Sequence, residues 1–221
     1  MLGAVSGPIE RFADDTGDVG VRGALHRPAV PGIDVLVLTH GAGGDHEAPL
    51  LRAVAEVFAA RGITVLRCDL PFRQARRKGP PSPAGAARDR AGLQRAVELM
   101  RARCPGRVLL GGASYGGRQA TLLVAERAGL VDGLLLLAYP LHAPGRPDAP
   151  RDAHFPAIRT PALFVHGSRD PFATLGELEA ARARLGAASA LVSIDNAGHD
   201  LGRGRSPLIA RIPERLLALL G

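Results

Sequence analysis

Arg107-Val-Leu-Leu-Gly-Gly-Ala-Ser114-Tyr-Gly-Gly-Arg118 is the stretch on which the reading of this chain turns. Val108, Leu109 and Leu110 make a short apolar run suited to a buried strand, and the residues from Tyr115 onward carry apolar side chains at helical spacing. Gly112-Ala-Ser114-Tyr-Gly116 therefore falls between a strand and a helix, where G-x-S-x-G marks a nucleophile elbow. In such a turn the serine is held in a strained conformation with its hydroxyl lifted above the sheet. Glycine is needed two residues before and after it because the backbones come too close for a Cβ.

Working outward toward the C-terminus, the pattern predicts a helix from Tyr115 to Ala128, a strand from Gly133 to Tyr139 and a loop from Pro140 to Thr160. A strand from Pro161 to His166, a helix from Leu175 to Leu185, a strand from Ala190 to Ile194 and a closing helix from Ser206 to Leu220 follow. Toward the N-terminus, Ala84 to Arg103 reads as a helix and Asp69 to Pro83 as a Pro- and Arg-rich loop. Ile63 to Cys68 is a strand, Pro49 to Arg61 a helix stopped by Gly62, and Ile33 to Thr39 a strand buried on both faces. Ala4 to Phe12 and Gly20 to His26 suggest edge strands. Strands alternating with helices imply a mostly parallel sheet covered on both faces, a three-layer α/β architecture. No repeat or linker divides the 221 residues, so a single domain over 1–221 is expected.

Composition narrows the partners. The net charge of +7 comes from 28 basic residues, but all except Lys78 are arginine and they are scattered, which is not a nucleic-acid-binding stripe. The longest apolar run, Leu134 to Tyr139, is too short to cross a bilayer, and Met1 to Gly20 lacks the pattern of a signal peptide. Cys68 and Cys104 alone make no disulfide framework, which favours a reduced cytoplasmic setting. No cofactor is expected, because a dinucleotide-binding G-x-G-x-x-G would need glycine where His46 stands, and no G-K-[ST] occurs. His40, Asp45 and His46 do not make a metal centre without a second ligand cluster.

A serine hydroxyl needs a general base and donors for the developing oxyanion. In this architecture the acid and then the histidine follow the serine on loops at the carboxyl ends of later strands. Asp170, in Gly167-Ser-Arg-Asp-Pro171, and His199, in Asn196-Ala-Gly-His-Asp200, occupy those places. Plainer roles exist for each: Ser114 as a turn serine, and Asp170 as the start of an Asp-Pro turn with Asp195 or Asp200 as the acid. His166 ends the strand before Asp170 and reads as a wall residue. For the oxyanion we expect the backbone N–H groups of Tyr115 and of Ala42, in the loop His40-Gly-Ala-Gly-Gly44.

With these residues in place, the chain resembles the α/β-hydrolase superfamily along nearly its whole length. Leu38-Thr-His-Gly-Ala-Gly-Gly-Asp45, Gly111-Gly-Ala-Ser-Tyr-Gly-Gly-Arg118 and Ala138-Tyr-Pro-Leu-His142 make it similar to a small lidless branch. That branch includes dienelactone hydrolase-like proteins and the hydrolase-like domain of a testis-expressed protein. The resemblance implies Ser114 as nucleophile, Asp170 as acid and His199 as base. Dienelactone hydrolases often carry cysteine where this chain has Ser114, which counts against that exact activity. Only about twenty residues separate Tyr139 from Pro161, too few for a helical cap, so an open site is expected.

The implied activity is a serine hydrolase acting on a small carboxylic ester or thioester. The alternatives are a non-catalytic interaction module of the same fold and an acyltransferase using the same triad. Two basic loops flank the expected site. One carries Arg73, Arg76, Arg77 and Lys78, and the other carries His142, Arg146 and Arg151; Arg118 lies one turn into the elbow helix. Either these are solvated surface charges, with Arg118 pairing a nearby carboxylate, or some bind an anionic group on the substrate. Candidate contacts to substrate are His40, Arg77, Arg118, His142 and Arg151.

Overall fold

The computed structural model describes residues 6–143, 145–146 and 148–221. Eight strands among these residues form one sheet: β1 (Ser6–Asp14), β2 (Val21–Pro28), β3 (Val35–Thr39), β4 (Thr64–Cys68), β5 (Val108–Ala113), β6 (Gly133–Leu137), β7 (Ala162–Gly167) and β8 (Ser189–Ile194). Their order is β1-β2-β4-β3-β5-β6-β7-β8, with the two antiparallel pairings at the β1 and β2 end and all others parallel. Ala4 and Val5 of the expected first strand lie outside the described residues.

Among the described residues six α-helices accompany the sheet: α1 (Pro49–Ala59), α2 (Pro71–Ala75), α3 (Ala86–Arg101), α4 (Tyr115–Glu126), α5 (Leu175–Arg182) and α6 (Ile212–Leu220). Alternation along the strands sends side chains to opposite faces. Val35, Val37, Leu110, Leu134, Leu136 and Phe164 therefore join the core beneath α3 and α4. Leu36, Leu38, Leu109, Leu135, Leu163 and Val165 join the core beneath α1 and α6. The central strands are mostly apolar because both faces are covered, and each fully buried leucine or phenylalanine contributes roughly 1.5–3 kcal/mol.

Two expected segments change for local reasons. The Asp69–Pro83 loop contains α2, which Pro71 can start because a first helical residue needs no N–H donor. The closing helix is broken into a 3₁₀ segment (Pro207–Arg211) and α6, with Pro213 at the start of the latter. A second 3₁₀ segment, Leu201–Gly204, holds Gly202 and Arg203 in the left-handed region. Between β6 and β7 the described residues contain only a one-turn 3₁₀ helix, Phe155–Ala157, and no cap domain.

The parallel register aligns the strand ends. Thr39 sits beside Gly112, Ala113 beside Leu137, Leu137 beside Val165 and Gly167 beside Ile194. The loops after β3, β5, β6, β7 and β8 thus open on one edge of the sheet, where ligands bind in open α/β folds.

Candidate active site

Ser114 is the residue between β5 and α4, with φ 49° and ψ −115°. A non-glycine residue held there costs about 1–3 kcal/mol, a cost sustained only where the surroundings fix it. The glycine frame does so. A Cβ on Gly112 would collide with the backbone of Gly116 and Gly117. A Cβ on Gly116 would lie 2.5 Å from the carbonyl oxygen of His40 and 2.7 Å from Thr39 Cγ2.

The loops after β7 and β8 bring the other two residues to it. His199 Nε2 stands 2.8 Å from Ser114 Oγ, and His199 Nδ1 stands 2.8 Å from Asp170 Oδ2. Asp170 Oδ1 accepts the Phe172 N–H at 2.9 Å, so the carboxylate is fixed from both sides. The Asp170 side chain is fully buried, and a proton on His199 Nδ1 pointing to it leaves Nε2 free to accept from the serine hydroxyl. Phe172 packs edge-on against the imidazole, ring centroids 4.4 Å apart. Asp195 and Asp200 are both exposed, and Asp200 accepts the Gly202 N–H instead of orienting a histidine.

His166 is completely buried and donates from Nε2 to the Ala173 carbonyl at 2.9 Å. Burial lowers its pKa, which keeps it neutral beneath Asp170. It supports the loop that carries the acid.

Ala42 and Tyr115 both line the cavity in front of Ser114. Tyr115 opens α4, so its N–H is among those a helix leaves without an internal acceptor, at the positive end of the helix dipole. The ring behind them is continuous: His40, Phe72 and Tyr115 stack edge to face with centroids 5.6 and 5.8 Å apart. Asp89 ties this group to α3, accepting the Tyr115 hydroxyl at 2.7 Å and the Phe72 N–H at 3.0 Å. Burial raises the Tyr115 pKa, and its hydrogen bond to Asp89 adds to the rise, so the phenol stays protonated as the donor.

Arg73 corrects the picture of a solvated basic loop. It is buried, and its guanidinium donates to the carbonyls of Gly44 (2.8 Å), Ala42 (2.9 Å), Gly79 (3.2 Å) and Arg76 (3.3 Å). His40 is also corrected: it is fully buried and does not line the cavity. Its Nδ1 donates to the Gly41 carbonyl at 2.8 Å and its Nε2 accepts the Leu70 N–H at 3.1 Å, while burial holds its pKa down. A ring used at both nitrogens and shut off from the cavity braces the loop; it has no surface left for substrate. Asp69 anchors the same loop by accepting the N–H and Nδ1 of His46 at 2.7 and 2.8 Å.

The cavity holds about 380 Å³ and is lined by Ser114, His199, the Gly41–Gly43 loop, Tyr115, Arg118, Pro140, His142, Arg151 and Phe172. His142 and Arg151 reach it because the segment after β6 folds inward, burying Leu141, Asp152, Phe155 and Ile158. Arg77 lies elsewhere, in an adjoining cleft with Lys78 on the far side of Ala42 and Gly43, and is exposed. The sequence carried no signal for Arg73, Asp89 or Phe172, since each acts through a contact made only in the folded chain. Among the described residues no group of three metal-ligating side chains occurs, and no helix is long and apolar enough to cross a membrane.

A family model described as an alpha/beta hydrolase domain matches residues 33–208. The chain belongs to that family. Similar solved structures include a dienelactone hydrolase from Anabaena variabilis, 23% identical with a TM-score of 0.72 over 96% of this chain and 94% of that one. TT1662 from Thermus thermophilus is 26% identical with a TM-score of 0.72, covering 96% and 97%. XC6422 from Xanthomonas campestris, described as a serine hydrolase without a lid, is 18% identical with a TM-score of 0.66, covering 94% and 95%.

Proposed function

We propose that the chain is a serine hydrolase, acting as a single α/β domain, that cleaves a small carboxylic ester or thioester through an acyl-enzyme. One observation carries the reading: the hydrogen-bonded series Ser114, His199 and Asp170, at 2.8 Å per step, ends in a nucleophile on a strained turn facing a cavity. At about 380 Å³ the cavity sits near the lower end of ligand sites, which suits a short acyl group better than a long chain.

In the proposed reaction His199 Nε2 takes the Ser114 proton as Oγ bonds to the acyl carbon. The carbonyl oxygen becomes an anion facing the N–H groups of Ala42 and Tyr115. As the intermediate collapses, the bond to the alcohol or thiol breaks and His199 returns its proton to that leaving group. Water, deprotonated by the same imidazole, then releases the acid and regenerates Ser114. Asp170 holds the ring in the tautomer that these transfers require.

A fluorophosphonate probe and a panel of short esters and thioesters test this. Wild type should be labelled and should turn over at least one class, and Ser114→Ala should do neither while keeping its unfolding midpoint. Labelling that persists in Ser114→Ala would place the nucleophile elsewhere. An unlabelled wild type would favour the interaction-module reading.

A further inference from the structure

Two guanidiniums face the same cavity as Ser114. Arg118 projects from α4 one helical turn beyond the nucleophile, and Arg151 reaches in from the segment after β6. Among the described residues no acidic side chain lines this cavity. The nearby carboxylates are already engaged: Asp89 by Tyr115 and Phe72, Asp152 by Arg184, and Asp170 by His199. Among the described residues neither Arg118 nor Arg151 forms an ion pair, whereas Arg90 and Arg107 each pair with a carboxylate close by. Arg118 Nε is buried with no hydrogen-bond partner among the described residues. A buried donor left unmade is costly, and a bound ligand is one partner that can satisfy it.

Their surroundings are preset and electropositive. The Arg151 backbone is held by its N–H to the Leu141 carbonyl at 2.6 Å and by the Tyr139 hydroxyl on its own carbonyl at 3.5 Å. Burial and then the charge of Arg118 lower the Arg151 pKa, and the same two causes hold His154 at about 4. An anion entering this cavity would meet both guanidiniums.

We propose that Arg118 and Arg151 form an anion subsite that receives a carboxylate carried by the substrate, remote from the bond broken at Ser114. The substrate class is then a half-ester or half-thioester of a short dicarboxylic acid, or an ester whose alcohol part bears a carboxylate. The separation is short, because the Arg118 N–H donates to the Ser114 carbonyl at 3.0 Å across the first turn. The planar guanidinium suits a carboxylate bidentately, and two of them make the site selective against neutral isosteres. This rests on the serine-hydrolase reading for its chemistry, but the binding of the anion does not.

Two measurements therefore test it. The first is the ratio of kcat/KM for a 4-nitrophenyl half-ester of glutarate to that of its terminal amide. We expect at least tenfold for wild type, and a ratio near one for Arg118→Met and for Arg151→Met. Arg118→Lys should recover part of it. The second is free of catalysis: glutarate should raise the unfolding midpoint of wild type, glutaramide should not, and the Arg151→Met variant should lose the shift.

A glutarate shift that is absent while fluorophosphonate still labels Ser114 overturns the subsite alone. A glutarate shift that depends on Arg151 in a protein that labels with no probe keeps the subsite and overturns the hydrolase. Inorganic phosphate is the further arm: a shift with phosphate and none with glutarate assigns the pair to a phosphorylated ligand, against the proposal.

Discussion

The guanidinium of Arg73 donates to the carbonyl oxygen of Ala42 at 2.9 Å, across 31 residues of sequence. Arg73 also holds Gly44 of the same loop, while its backbone N–H returns to Leu70 at 2.8 Å. One buried side chain thus holds the peptide that follows Ala42, the residue whose N–H is proposed to meet the oxyanion. Its guanidinium carbon lies over the Phe72 ring, 5.0 Å from the centroid.

Replacing Arg73 should therefore act on the chemical step. Arg73→Met leaves the Ala42 and Gly44 carbonyls without their donor and frees the loop. We expect kcat to fall about 10- to 100-fold, up to the loss measured for one oxyanion donor, with a smaller change in KM. Steady-state kinetics on a short ester checks this; an unchanged kcat would mean that the loop is fixed without Arg73.

The elbow makes a contrast between glycines. Gly116→Ala places a Cβ 2.5 Å from the His40 carbonyl oxygen, which is backbone and has no freedom to move aside. We expect a loss of several kcal/mol, or insoluble protein. Gly43→Ala meets nothing within 4 Å and should keep the unfolding midpoint within a few degrees. Denaturant unfolding of the two variants side by side decides it, and equal stabilities would remove the close-approach argument.

Exchanging Asp170 for asparagine keeps the shape of the buried side chain but removes the anion that orients His199. By analogy with a serine protease, kcat should drop by about 10⁴. Asp195→Asn and Asp200→Asn change exposed side chains and should leave kcat within a few-fold. The reverse pattern would reassign the acid.

Stability should decline in acid through particular histidines. His26 is buried, with Arg67 Nε donating to its Nε2 at 2.7 Å; burial and then the Arg67 charge lower its pKa from the ordinary 6.5 to about 4. His154 is lowered to about 4 by burial and then by Arg118. Both folded-state values lie below the unfolded value, so between pH 6.5 and 4 the unfolded chain binds more protons. Their contribution is complete above pH 6.5 and is lost as the pH falls toward 4, at most roughly 3 kcal/mol for each group. His46 runs the other way: its hydrogen bond to Asp69 raises its pKa, so its share is present below pH 6.5 and fades as pH rises. Unfolding midpoints of wild type and His154→Gln between pH 7 and 4 should converge in acid. Parallel curves would show that His154 does not titrate this way.

The order of strands and helices, the elbow at Ser114 and the positions of Asp170 and His199 were legible in the sequence because each follows from local rules. Alternation sorts Val35 and Val37 from Leu36 and Leu38, glycines frame a turn too tight for a Cβ, and the acid and base come after successive strands. Those rules concern neighbours along the chain. They could not tell Arg73 from Arg77, two arginines four residues apart in one basic loop. Folding buries the first against Ala42 and Gly44 and leaves the second exposed in an adjoining cleft. Nor could they tell that His40 would spend both ring nitrogens on backbone groups, or that Asp89 would reach Tyr115 across 26 residues. Burial of a polar group and the partner that satisfies it are properties of the packed chain, because desolvation depends on everything that surrounds an atom. The sequence determined which residues the strand ends would bring beside Ser114; only the tertiary structure decided which charges hold the loops together and which face the cavity.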